Sequence, residues 1–563
     1  MGKNMAVQEQ IKIKHFETIT KWWNNSLPVS NQTFWLLTII LGALAIRIWL
    51  VFTNGYGCRP DTFSFLTQAH DLVNGHWDRW FYINTKPPVY SFLLAGGIKS
   101  GLNEMVFSKC ISIFMSIVFL HPAWLILGRL TKGPARVLAL AVTAFCLIVV
   151  EISTRMTSDI TYAVVLMYSL YFALYKGLLD QKTKGFIIGG VLLGIAFLTR
   201  SEAIIYLPLV TIFAVWGAIR NRIAWKTAAK SLLYPTIAVI VLAPQVTLLC
   251  RYEGRFLLRR NAGNLIAESI NKAQINLPTV AESVSTKAND DTSKLRQLST
   301  AVYRMIVTVA VNSSDYITDK IPTAVGYVPA LFLIIGLIAC GKKSFQFSPE
   351  SITLLSFVWT LVVLSPIEAH SRFLIGVLPI IAAPIATGII ILSAKLLQNK
   401  PAEFSDKQLE KSSIRLVIIF FILGVIGPTA ARVATRNPYD GTEIIATGKV
   451  FAEIIKNNPS DQSKIILTNV GESSRLKYIT GMPMVLLHEK KAYTAQEIED
   501  ILIEHQATKF LVITERSRKS IFPDFPVLSK WAKHLETCQT HPKSKKPERV
   551  YIFQIYSEKL IDK

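Results

Sequence analysis

Charge is scarce in this chain. Only 18% of its 563 residues are charged, and acidic residues, at 38, are far outnumbered by 61 Lys and Arg. Soluble domains carry about 25% charged residues, so an ordinary soluble globular protein is excluded. Cysteine is also rare: Cys58, Cys110, Cys146, Cys250, Cys340 and Cys538 show no metal-type or redox-type spacing, which argues against a zinc module or a disulfide-built scaffold. Cys58 and Cys250 fall on one expected face, but their spacing does not demand a disulfide. There is no glycine-rich phosphate loop and no repeat with a period of 20–50 residues. A cleavable signal peptide is not expected either: the first 33 residues are polar and basic, and the next apolar segment is too long for a signal core.

What the chain has is apolar sequence. Hydrophobic residues make up 51% and the mean hydropathy is +0.37. The apolar runs predict about eleven membrane spans, near 34–53, 107–128, 136–150, 160–175, 185–199, 203–219, 231–250, 321–340, 351–367, 373–394 and 416–432. Several hold about 15 residues, some 23 Å of helix at 1.5 Å per residue, and need aromatic or snorkelling flanks to complete a crossing. The net charge of +23 would point to nucleic acid in a soluble protein. Here the basic residues recur in every second connection, from Lys12, Lys14 and Lys21 through Arg129 and Lys132 to Lys407 and Lys411. That is the positive-inside pattern. It predicts a multi-pass protein of the cytoplasmic membrane with its N-terminus inside, its C-terminal region outside, and no nucleic-acid partner.

Three parts are expected: a cytoplasmic segment over 1–33, a multi-span part over 34–432 with outer loops at 54–107 and 251–320, and an extracytoplasmic domain over 436–563. In the second loop, 294–311 has helical periodicity and reads as an interfacial helix. In the last part, short β-branched runs at Ile465–Thr468, Met484–Leu487, Phe510–Ile513 and Val550–Phe553 read as buried strands. They alternate with helical patterns such as Thr494–His505, which opens at capping-box spacing. A small α/β domain with a largely parallel sheet follows.

Ionisable groups at span ends are costly and usually functional in membrane proteins. On the expected outer side lie Arg59 and Asp61, the turn Lys86-Pro87-Pro88, Asp159, the pair Arg200 and Glu202, and the group Glu368, His370 and Arg372. Two successive prolines fix the backbone and forbid a helix through the turn, so Lys86 is presented in one direction. A carboxylate can take the proton of an attacking hydroxyl or amine. Guanidinium and ammonium groups can hold a phosphate and its developing charge, Arg372 as a planar fork and Lys86 as a point charge. Each residue also has a plainer reading. Asp61 has one as a solvated loop acid, Asp159 as a helix cap, Lys86 and Arg372 as interfacial anchors, Arg200 and Glu202 as a self-satisfied turn, and His370 as a hydrogen-bonding support. Arg47, near the outer end of the first span, is expected to snorkel or to pair with a loop acid, and the aromatic residues near 77–82 to sit in the interface.

The first-loop acid, Lys86-Pro87-Pro88, Ser158-Asp159, Leu198-Thr199-Arg200 and Ser371-Arg372-Phe373 followed by Pro379 resemble, in this order, the family 39 glycosyltransferases. That group includes protein O-mannosyltransferases and the lipid A aminoarabinose transferase. The resemblance spans roughly 40–390 and implies a polytopic α-helical C-type glycosyltransferase fold. It further implies an inverting sugar transfer from a polyprenyl-monophosphate donor to a lipid, glycan or protein acceptor, with membrane lipids as the surroundings. By motif, Asp61 and Asp159 match the loop acids, while Lys86 and Arg372 match donor-phosphate contacts. Arg59, Arg200, Glu202, Glu368 and His370 stand as supports around them. No cofactor or metal ligand is implied, and a divalent metal stays undecided. One departure stands out: many mannosyltransferases carry Asp-Glu in the first loop, whereas Asp61 here is followed by Thr62, which leaves the acceptor open. Two other classes share the broad features. A transporter or flippase expects inverted halves or midplane charges, and a diphosphate-lipid-dependent transferase or ligase shares the outer-face site.

Overall fold

A computed structural model describes residues 2–24, 29–53, 60–76, 86–253, 312, 314–341, 348–364, 371–398 and 405–434, with five strands of the C-terminal region. Helices occupy all eleven expected spans. Seven are long and apolar enough to cross a membrane alone: α2 (Asn31–Phe52), α5 (Glu104–Leu130), α8 (Asp159–Leu179), α10 (Ser201–Ile219), α11 (Trp225–Arg251), α15 (Leu374–Leu397) and α16 (Asp406–Ala431). Two more are bent pairs. α6 (Gly133–Phe145) meets α7 (Leu147–Ser153) at 48°, and α12 (Tyr316–Val325) meets α13 (Tyr327–Ala339) at 116°. The other two, α9 (Thr183–Thr199) and α14 (Pro349–Val363), are shorter.

Three further helices lie outside the expected spans, two in polar chain and one in a short apolar run of the first outer loop. α1 (Gly2–Asn24) buries His15, Ile19 and Trp23, and the Trp23 indole N–H donates to Ser413 Oγ of α16 at 2.8 Å. α3 (Pro60–Val73) and α4 (Pro88–Lys99) pack on each other through Phe65, Leu66 and Ala69 against Tyr90 and Leu94. The Phe65 and Tyr90 rings meet edge-on, with centroids 5.0 Å apart.

Both bends have a local cause. At Cys146 the backbone turns extended (φ −59°, ψ 137°), and at Gly326 φ is +100°, a conformation that glycine adopts without strain. The break at Cys146 strands carbonyls in an apolar interior, where each must find a donor. Arg47 donates to the Ala144 carbonyl there, and to that of Ala43 in its own helix, both at 2.9 Å, and Thr429 donates to that of Phe145 at 3.1 Å. Arg47 is thus fully buried and caps a broken helix; it does not snorkel, and among the described residues it pairs with no loop acid. Elsewhere α13 and α15 come into backbone contact, because a Cβ on Gly336 would collide with the Pro384 carbonyl and one on Gly388 with that of Phe332.

α15 and α8 are the most enclosed of the long helices, with 83% and 72% of their apolar stretches buried. The candidate site gathers around their N-terminal ends. In the C-terminal region the four expected strands form, with a fifth at Ala532–Gln539, as one sheet in the order Met484–Leu486, Ile465–Thr468, Thr508–Thr514, Arg549–Ile555, Ala532–Gln539. The first three strands run parallel and the last two join antiparallel. The sheet is therefore mixed, not largely parallel. The expected helices at 294–311 and Thr494–His505 lie outside the described residues.

Candidate functional site at the ends of α3, α4, α8 and α15

α3 starts at Pro60 and places Asp61 in its first turn. Proline suits the first helical position, where no N–H is needed, and a carboxylate there complements the positive end of the helix dipole. α4 starts in the same manner. Pro87 is its cap, extended at φ −61° and ψ 149°, and Pro88 its first residue, so Lys86 is held at the mouth of the helix. Its ammonium donates to Asp61 Oδ1 at 2.6 Å.

The spacing of that pair is set from below. Seven residues beyond Asp61, two turns along the same face of α3, lies buried Gln68. Its amide N–H donates to the Lys86 carbonyl at 3.3 Å, and its oxygen accepts from the Ser91 hydroxyl at 2.7 Å. Gln68 is the functional residue that sequence reasoning missed; only its helical spacing from Asp61 marks it. Arg372 enters from the 3₁₀ turn Ser371–Val377 ahead of α15, its Nη1 lying 3.7 Å from Asp61 Oδ2. Asp61, Lys86 and Arg372 keep a quarter to a third of their side-chain surface exposed (34%, 24% and 27%), so a ligand can reach them.

A second group lies deeper. Asp159 is the first residue of α8 and is itself buried. Ser158, not Asp159, holds the cap position, and no side chain caps the helix. The Asp159 carboxylate accepts from Arg200 Nη1 at 2.5 Å, while Arg200 Nη2 donates to Glu202 Oε1 at 2.9 Å. The cap reading of Asp159 therefore yields to an ion pair, and the expected Arg200–Glu202 contact forms as one half of a clamp. The two groups adjoin. The Thr62 hydroxyl donates to the Met156 carbonyl at 2.7 Å, tying the first loop to the segment before Asp159. Thr62 stands where many mannosyltransferases carry glutamate, and an ionised carboxylate could not donate that bond. Close to Asp159, the hydroxyls of Thr157, Ser158 and Thr161 are buried without a hydrogen-bond partner among the described residues.

The electrostatics follow from these contacts. Burial pushes the pKa of Asp61 up, but Lys86, by charge and by hydrogen bond, and then Arg372 and Arg200 outweigh it and hold the carboxyl below its ordinary value. Asp61 is thus ionised at neutral pH. Three helices (α3, α4 and α8) also aim their positive N-terminal ends at this region. The whole favours an anion such as a phosphate. Among the described residues, no three His, Cys, Asp or Glu side chains are grouped to hold a metal ion. Arg59, Glu368 and His370 lie outside the described residues.

Residues 85–247 match the model of a family described as dolichyl-phosphate-mannose-protein mannosyltransferase, a stretch that begins at Lys86-Pro87-Pro88 and includes Asp159, Arg200 and Glu202. No curated protein is significantly similar in sequence. Among solved structures, the oligosaccharyltransferase of Archaeoglobus fulgidus in its apo form superposes with a TM-score of 0.60 at 12% identity, over 91% of this chain and 74% of that one. Apo ArnT from Cupriavidus metallidurans does so with a TM-score of 0.55 at 11% identity, over 94% and 99%. Its complex with undecaprenyl phosphate gives 0.51 at 13% identity, over 92% and 98%. At these identities the likeness is one of fold. The chain has the C-type glycosyltransferase fold of a polytopic helical membrane protein. The family match is confined to residues 85–247, under a third of the chain.

Proposed function

We propose that this protein moves a sugar from a polyprenyl-monophosphate carrier to an acceptor at the outer face of the cytoplasmic membrane, with inversion at the anomeric carbon. The observation that carries this reading is the convergence of Asp61, Lys86 and Arg372 in one reachable cluster. A lone pair on the acceptor's hydroxyl or amine forms the new bond to the anomeric carbon. The bond from that carbon to the phosphate oxygen breaks, and its electron pair leaves with the lipid phosphate. Asp61 takes the acceptor's proton, while Lys86 and Arg372 hold the phosphate before and after transfer. Asp159 and Glu202 act as positioning residues by fixing Arg200 beneath the reacting groups. The fold relatives support the donor class: ArnT was captured with undecaprenyl phosphate, and the archaeal oligosaccharyltransferase with a dolichol-phosphate and an inhibitory peptide.

Mass spectrometry of envelope lipids, glycans and proteins from cells with and without this protein tests the reading. One sugar should be missing without it, and Asp61→Asn should fail to restore that sugar while inserting normally. Full restoration by Asp61→Asn would remove Asp61 as the base.

A further inference from the structure

In the arrangement described, Asp61 is a poor base. One oxygen is committed to the Lys86 ammonium at 2.6 Å and the other faces Arg372 at 3.7 Å, and both contacts stabilise the ionised carboxylate and so weaken its pull on a proton. Among the described residues, the cations placed to hold a phosphate are therefore the same two that engage the carboxylate. Arg200 offers no substitute, since Asp159 and Glu202 already hold its fork. We propose that the Asp61–Lys86 pair is a resting lock which the lipid phosphate opens: the phosphate draws Lys86 and Arg372 to itself, and the released carboxylate becomes able to accept the acceptor's proton. This rests on the donor reading above and adds its order, in which the lipid-linked donor binds first and arms the site.

The charges balance at each stage. At rest, Lys86 and Arg372 outnumber Asp61 by one positive charge, which matches the single negative charge of a sugar-phosphate-lipid diester. After transfer, Asp61 carries the acceptor's proton and is neutral, and the leaving phosphate has become a monoester. Two cations then face a phosphate approaching two negative charges, since its second pKa is near 6. The trio and its ligand thus stay close to neutral from donor binding to product.

A double-mutant cycle on the full-length protein in lipid nanodiscs tests this, with undecaprenyl phosphate titrated and its dissociation constant read by calorimetry. Lys86→Ala should weaken binding. Asp61→Asn should tighten it by about three- to fivefold, the range for a partly exposed ion pair that no longer has to open. In the Lys86→Ala background, the tightening from Asp61→Asn should largely vanish, because the competitor acts through that lysine. Unchanged or weaker binding by Asp61→Asn would overturn the lock. So would equal tightening in both backgrounds, which would reduce the effect to a general field. If the wild-type chain does not bind the lipid at all, or binds it with no loss in Lys86→Ala, the donor reading itself fails, and the lock with it.

Discussion

At the scale of single residues, Arg200 has the most demanding position. It lies, with 11% of its side chain exposed, between two carboxylates, Asp159 and Glu202, and its planar fork serves both in a way an ammonium cannot. Arg200→Leu should cost about 3–5 kcal/mol of stability by leaving acids buried without a cation. Arg200→Lys should keep most of that stability yet lower the transfer rate about tenfold or more, because Asp159 and Glu202 would lose their fixed spacing. Thermal unfolding in detergent and single-turnover transfer separate the two effects. Equal losses in both readouts for the lysine variant would make Arg200 a purely structural residue.

At the scale of elements, α3 is latched at both ends. Its start is held by Asp61 and Thr62, and near its end the His70 ring pairs with Glu104 of α5 at 2.6 Å. The hydrogen bond to Glu104, opposed by burial and aided by the charges of Glu104 and Asp71, raises the pKa of His70 above its ordinary value. A raised pKa in the folded state gives stability that is fully present below the unfolded value near 6.5 and is lost as pH rises through the folded value. The midpoint difference between wild type and His70→Gln should therefore be larger at pH 5.5 than at pH 8.5. The contribution is small, because the pair is partly exposed. A difference independent of pH would remove the latch.

The elements also show what the sequence discloses and what it withholds. Apolar runs announce membrane helices by composition alone, so an apolar helix falls at each of the eleven expected positions, seven of them long enough to cross alone and two more as bent pairs. The paired prolines announced a turn, and Asp61, Lys86 and Arg372 were legible as a cluster through their order along the chain. By contrast α1 and α3 read as polar chain, because their buried stripes are short and interrupted by residues such as His15 and Gln68, while α4 is apolar but, at 12 residues, too short to stand out from the outer loop. Arg47 was misread because a cation near a span end ordinarily reaches for water. Here a helix breaks beside it, and the freed carbonyls of the break are closer. The strand Ala532–Gln539 was missed because Lys533, Glu536 and Gln539 hide any alternation. A mixed sheet is likewise not legible from strands alone, since pairing direction depends on connections the pattern does not encode.

At the scale of the whole molecule, the site is assembled from segments near residues 61, 86, 159, 200 and 372, each at the end of a helix embedded in the bundle. Rigid seating of α8 and α15 fixes Asp159 and Arg372, whereas α3 and α4 rest on a satellite core of their own. Asp61 and Lys86 therefore sit on the part better able to adjust to a ligand. The bundle is closed at its other extremity by α1, whose Trp23 meets Ser413. Trp23→Ala should expose α1, and limited trypsin digestion should then cut at Lys12, Lys14 and Lys21 faster than in the wild type. Unchanged cutting would mean that α1 is held by other contacts.

That indole-to-serine bond joins residues 390 positions apart. A ribosome adding 5–20 residues per second needs roughly 20–80 seconds to travel between them. Throughout that interval the first helix has been synthesised but its docking place has not, so the tryptophan face must wait at the membrane surface or on a chaperone. Closure of the bundle is then among the last events of biogenesis, and a chain truncated before its final crossing would carry an undocked leading helix that quality-control proteases can seize.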